Sequence, residues 1–176
     1  MEKKTEKKDS HLKWLITVSI SSFILSLVFS YISTTAISDL PVLPSIIILV
    51  LVILIGIIFD LIGTSVTIAD EQDFHARASK KIKGSKTAIK LIRNSAKVAN
   101  FCADVIGDVC GVLSGSIAAI LALKIMQSTN LGNSVQFILS ALVSSFTIGG
   151  KALTKEFAKH NATKIISTVT KFINFD

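Results

Sequence analysis

Three sets of polar side chains recur at helical spacing along this chain. Asp60, Thr64 and Thr67 fall on one side of a wheel drawn at 100° per residue, together with Gly56 and Gly63. Asn100, Asp104 and Asp108 follow at i, i+4 and i+8, and Ser140, Ser144, Thr147 and Lys151 share a third face. Carboxylate, hydroxyl and amide oxygens suit hard cations such as Mg²⁺. The plainer reading of the hydroxyls is a bond back to their own helix backbone. The acids are harder to dismiss. Each lies in an apolar stretch, where an ionisable group is expensive and turns toward a bundle interior or a water-filled cavity. The three faces are therefore expected to turn toward one another and enclose a small polar cavity.

The elements that would hold these faces are membrane spans. Half of the 176 residues are hydrophobic, and the mean hydropathy is +0.63. About 20 apolar residues cross a bilayer core as a helix. The expected fold is all-α and integral to a membrane, with spans at 14–33, 44–69, 98–124 and 134–150. Residues 1–13 form a basic polar start, and the four-span domain covers 14–150. The segment 151–176 is an amphipathic tail. A cleaved signal peptide is the rival reading of the first span, but its apolar run exceeds the usual ~7–15 residues of a signal core.

Residues 70–97 change character, with many Lys and Arg and apolar residues at helical spacing on either side of Gly84. They are expected to form one or two amphipathic juxtamembrane helices on the bilayer surface, with the basic side toward anionic headgroups. Gly107, Gly111 and Gly115 repeat every four residues, a spacing that lets helices pack closely. Four alternating spans put every Lys and Arg except Lys124 on one side. That side is then the cytoplasm and holds both termini. The formal charge of +7 invites a nucleic-acid reading, but the basic residues flank apolar spans, so nucleic acid is not an expected partner. Cys102 and Cys110 are eight residues apart on one predicted helix, about 12 Å by rise and too far to bridge. No nucleophilic triad or phosphate loop is recognisable, so no enzyme is expected.

The order of these parts resembles the transmembrane domain of the CorC and cyclin M (CNNM) magnesium transporters over about residues 44–170. The nearest local likeness is KGSKTAIKLIRN at 83–94, against the family's Gly-Ala-Lys-x-Ala-Leu-Lys-Leu-x-x-Asn. Counting back without gaps lays Asp60, Leu61, Ile62, Gly63 and Thr64 on the family's Ser-Gly-Ser-Glu-Thr, with only Thr64 identical. Ile106, Gly107 and Asp108 resemble its Ile-Gly-Asn. Its Gly-Glu-x-x-Pro-Lys falls on Gly150, Lys151, Ala152, Leu153, Thr154 and Lys155. Such proteins are dimers that bind Mg²⁺ within the membrane and export it.

The resemblance implies a homodimer in a bacterial plasma membrane. Asp60, Thr64, Asn100, Asp104 and Asp108 would contact a transported Mg²⁺-like ion, with no bound cofactor. This chain departs from the pattern. Lys151 stands at the position of the ligand Glu, Thr154 at that of the Pro, and Asp60 and Ile62 at the Ser positions. An N-terminal span is added, and the nucleotide-binding CBS pair does not follow. The expected function is a divalent-cation transporter in reduced form. The alternative is a non-transporting membrane module in which Lys151 pairs with Asp60, locks the site, and leaves the protein to bind a partner or anionic lipid. Lys151 is equally placed to snorkel to the cytoplasmic interface.

Overall fold

The computed structural model of the protein describes residues 2–129, 132 and 134–173, with side chains described from residue 16 onward except residue 18. Trp14, expected near the end of the first span, and residues 130, 131 and 133 of the loop at 127–133 lie outside the described side chains or residues. The described chain is helical: α1 (Glu2–Ser38), α2 (Val42–Ile68), α3 (Glu71–Ser79), α4 (Ser85–Arg93), α5 (Ser95–Asn100), a π-helical segment (Phe101–Ile106), α6 (Gly107–Ser128) and α7 (Ser134–Phe172). Four stretches are long and apolar enough to cross a membrane: Ser19–Ser38, Val42–Ile68, Ser95–Ser128 and Ser134–Phe172.

Two boundaries differ from the sequence expectation. The polar start at 1–13 does not stand apart, because helical backbone runs from Glu2 into the first apolar stretch. Nor do residues 151–172 stand apart as a tail, since α7 is unbroken for 39 residues. Gly149 and Gly150 do not interrupt it, because a glycine inside a helix costs only about 1 kcal/mol against alanine. Packing offsets this at Gly150, where an added Cβ would overlap the side chain of Ile57.

Helix α2 begins where the prolines allow it. Pro41 is its N-cap, and Pro44 lies in the first turn, where a missing N–H loses no intrahelical bond. Its apolar residues point all round, as expected for a helix enclosed by protein and lipid. It packs most extensively on α7 and α6. At one end of the bundle Ile37, Leu49, Ile117 and Leu121 form a core joining α1, α2 and α6. There Lys124 donates to the carbonyls of Ile37 and Leu40. Ile37 lies in the last turn of α1 and Leu40 just beyond it, and a cation complements that helix end well although the Ile37 carbonyl also accepts from the Leu40 N–H at 3.1 Å. The one basic residue that topology puts on the far side is thus a helix cap.

At the other end α3 and α4 are held against protein. Asp70 caps α3 by accepting from the Gln72 N–H at 2.9 Å. Gly84, at φ +83°, supplies the left-handed turn into α4. A Cβ there would also lie 3.0 Å from Thr170 of α7, so conformation and close approach both require glycine. Val66, Phe74, Ala88 and Ile166 make a second core from α2, α3, α4 and α7. Thr163 donates to Asp73 at 3.1 Å. Residues 70–97 therefore contain two amphipathic helices, as expected, but their apolar sides face the protein instead of lipid.

Glu71 ties α3 to α4, accepting from Arg93 Nε at 2.8 Å and contacting His75 at 2.9 Å. The Arg93 guanidinium, and after it His75, hold the Glu71 carboxyl below its ordinary value. A depressed folded pKa gives stability that is present above the ordinary carboxylate value of 4.5 and is lost as pH falls through the folded value. The wild type is expected to lose the α3–α4 contact on acidification, read as a fall in the amide protection factors of 71–93. Glu71→Gln should show low protection factors already at neutral pH and no further fall across that acid range.

The intimate helix contacts fall on glycines of α2. A Cβ on Gly56 would lie 2.9 Å from Cys110 Cβ, and one on Gly63 would lie 3.1 Å from Cys102 Cβ. Gly107 is buried, but Gly111 and Gly115 meet nothing within 4 Å. Within the chain, the expected glycine stripe of α6 is therefore used only at Gly107. Gly56→Ala should destabilise the protein by about 1–3 kcal/mol through overpacking. Gly111→Ala should be neutral or stabilising by up to ~1 kcal/mol from helix propensity. Thermal unfolding in detergent compares the two.

Candidate functional site

The packing that brings α2 onto α6 also buries Asp60. Gly56 and Gly63 flank it on the same face and draw the two backbones together on either side. Asp60 is 5% exposed, and its Oδ2 has no hydrogen-bond partner. It is the one carboxylate among the described residues that is buried. Other buried polar groups behave differently. The hydroxyls of Ser45, Ser65, Ser114 and Thr170 bond to the carbonyls of Pro41, Leu61, Gly111 and Ile166 at 2.7–2.9 Å. Asp60 cannot use that solution, because a carboxylate only accepts and helix carbonyls offer no proton.

The opposing wall is the π-helical segment. The N–H of Gly107 bonds to the carbonyl of Cys102, five residues back. That wider ring brings Cys102 and Gly107 onto the side facing α2, and both are buried. π-Bulges of this kind occur frequently at functional sites. Cys102 and Cys110 are free and buried, as expected.

The third wall is α7. Lys151 is half-buried, and its Nζ lies 3.5 Å from where a Gly107 Cβ would be. A side chain at Gly107 would meet the ammonium. Lys151 does not pair with Asp60, since no ion pair within 4.0 Å joins them. The direct salt bridge expected for a locked site is absent.

The expected convergence of acids is also corrected. Asn100, Asp104 and Asp108 are exposed on the outer side of the third apolar stretch. The inserted π residue shifts the helix phase and turns Gly107 inward. Among the described residues no three His, Cys, Asp or Glu side chains lie close enough to hold a metal ion. Thr64, one turn beyond Asp60, is half-buried, while Thr67 is exposed and donates to the Thr64 carbonyl at 2.7 Å. Ser140, Ser144 and Thr147 line a separate cleft of about 250 Å³ between α6 and α7, beside Gly111 and Gly115. Three polar faces exist, but they do not share one pocket.

No family model, curated protein or solved structure matches the chain. Nothing in these comparisons identifies a CorC/CNNM relationship.

Sequence reasoning found Asp60 by its type and setting. It missed Cys102 and Cys110 as the wall opposite. The available signal was the pairing of Gly56 and Gly63 at one turn either side of an acid, which marks a close backbone approach. Leaving a buried charged acceptor unpaired costs several kcal/mol less any relaxation. Asp60→Asn, which removes the charge at constant volume, should raise the thermal unfolding midpoint in cation-free buffer by an amount equivalent to about 1–3 kcal/mol. A fall in the midpoint would show that the carboxylate is stabilising the fold.

Proposed function

We propose that this is a multi-pass protein of a bacterial plasma membrane and that Asp60 is the centre of a cation pathway. The cargo of best fit is a divalent, Mg²⁺-like ion, in a reduced form of CorC/CNNM-type transport. The observation that carries this reading is the buried Asp60 carboxylate with an oxygen that nothing among the described residues satisfies. An intramembrane acid without a protein partner is by default a position for an ion or proton, and oxygen donors favour hard cations.

Length supports the placement. At 1.5 Å per residue, Val42 to Asp60 spans ~27 Å, Ser134 to Lys151 ~26 Å and Lys124 back to Asp108 ~24 Å. Against a hydrocarbon core of about 30 Å, all three charged residues lie near the cytoplasmic edge. Exposed Asp104 and Asp108 there raise the local concentration of cations. Thr64 adds a hydroxyl one turn from Asp60. Asn100, Asp104 and Asp108 act in this reading as an approach surface and not as a closed coordination shell.

A second reading is favoured by one observation, the Lys151 ammonium over Gly107 in the same three-helix junction. A tethered positive charge there repels a dication and offsets Asp60 at longer range than a salt bridge. The protein would then be a non-transporting module.

Mg²⁺ flux into proteoliposomes separates the two. Transport predicts flux above empty vesicles, abolished by Asp60→Asn and increased by Lys151→Ser. Absence of flux from folded wild-type protein would overturn transport. Mg²⁺ binding that appears only in Lys151→Glu would then support the silent module.

A further inference from the structure

The cytoplasmic end of the molecule carries a feature separate from the Asp60 junction. Along α4 and α5, Lys86, Lys90, Arg93 and Lys97 recur at i, i+4, i+7 and i+11 and all are exposed. On a helical wheel Lys86, Lys90 and Arg93 of α4 fall within about 60° of one another, and Lys97 follows on α5 beyond Asn94. The opposite side of α4 is occupied: Ser85, Thr87 and Ala88 are buried against the rest of the protein. Gly84, next to them, abuts Thr170.

The apolar side of α4 is thus unavailable to lipid, so any contact of this helix with a membrane must be electrostatic. Arg93 is engaged by Glu71. Lys86, Lys90 and Lys97 have no acidic partner within 4.0 Å among the described residues. Like charges at i, i+4 repel mildly, and among the described residues only Arg93 of this row has an acidic partner.

Its location gives the partner. α2 ends at Ile68, and the third apolar stretch starts at Ser95. The basic row therefore runs along the level where a bilayer spanned by these helices has its headgroups, with Lys97 already inside the apolar stretch. We propose that Lys86, Lys90 and Lys97, with Arg93 between them, form a docking surface for anionic phospholipid headgroups of the cytoplasmic leaflet. Charge complementarity supplies the attraction, since basic residues held close to an anionic leaflet each add to binding. Asp104 and Asp108, farther along the same outward side, repel phosphate and end the surface at the hydrocarbon edge.

The proposal rests on membrane placement and not on a cation at Asp60, so the two readings fail separately. The test is native mass spectrometry of the full chain purified from equimolar phosphatidylglycerol and phosphatidylcholine. Wild type should retain phosphatidylglycerol preferentially, and less of it as salt rises. Each Lys→Gln change at 86, 90 or 97 should lower the preference about five-fold. A control triple variant at Lys155, Lys159 and Lys164 on α7 should keep it. Equal retention of the two lipids by wild type would overturn the proposal. So would an undiminished preference in a helical, monodisperse Lys86→Gln/Lys90→Gln/Lys97→Gln protein, or an equal loss in the α7 control.

Discussion

The structure depends on how closely α2 can lie against the helix that follows the juxtamembrane segment. Gly56 and Gly63 remove the side chains that would hold the two backbones apart, and Cys110 and Cys102 fill the space. Asp60 lies between these two contacts and is buried as a result. The same approach lets α7 close the junction, with Gly150 against Ile57 and Lys151 over Gly107. Widening the α2–α6 contact would hydrate the carboxylate and loosen α7 at once. Packing and electrostatics are therefore one constraint here, set by a few small residues.

The two ends of the bundle solve opposite problems. At the end holding Lys124, few charges are present, and that cation is engaged by the carbonyls of Ile37 and Leu40. At the other end charge is abundant, and order comes from a small core around Phe74 and Ala88. The ties Thr163–Asp73 and Arg93–Glu71 surround that core. Arg77 also lies over the Phe74 ring at 5.6 Å from its centroid, a cation–π contact that shields one edge of the core. The apolar helices are joined outside their apolar stretches by a compact polar cap, not by a free linker.

Much of this was legible in the sequence, for identifiable reasons. Runs of Ile, Leu and Val longer than a signal core give the apolar helices, and Gly84 between two amphipathic segments gives the turn. Asp60 announces itself because an acid is so unusual beside PSIIILVLVILIGIIF. The facing of α6 was not legible. Periodicity identifies a polar side at Asn100, Asp104 and Asp108, and the expectation turned that side inward. The i+5 bond between Gly107 and Cys102 breaks the 3.6-residue phase, and no residue type in FCADVI signals it. The continuity of α7 was hidden for a different reason. The change from apolar to amphipathic pattern after Gly150 marks the end of the span but not of the helix.

α7 also has a mechanical consequence. It is a single rod of 39 residues, about 58 Å long, with Lys151 near its middle. Its first half lies beside α2 and α6, and its second half grips α3 and α4 through Thr163, Ile166 and Thr170. A rigid rod has no hinge in which to absorb a twist. Any rotation imposed beside Gly150 must appear, undiminished in angle, at Asp73 and Gly84, so the cap serves as the dial on which the packing of the bundle is displayed.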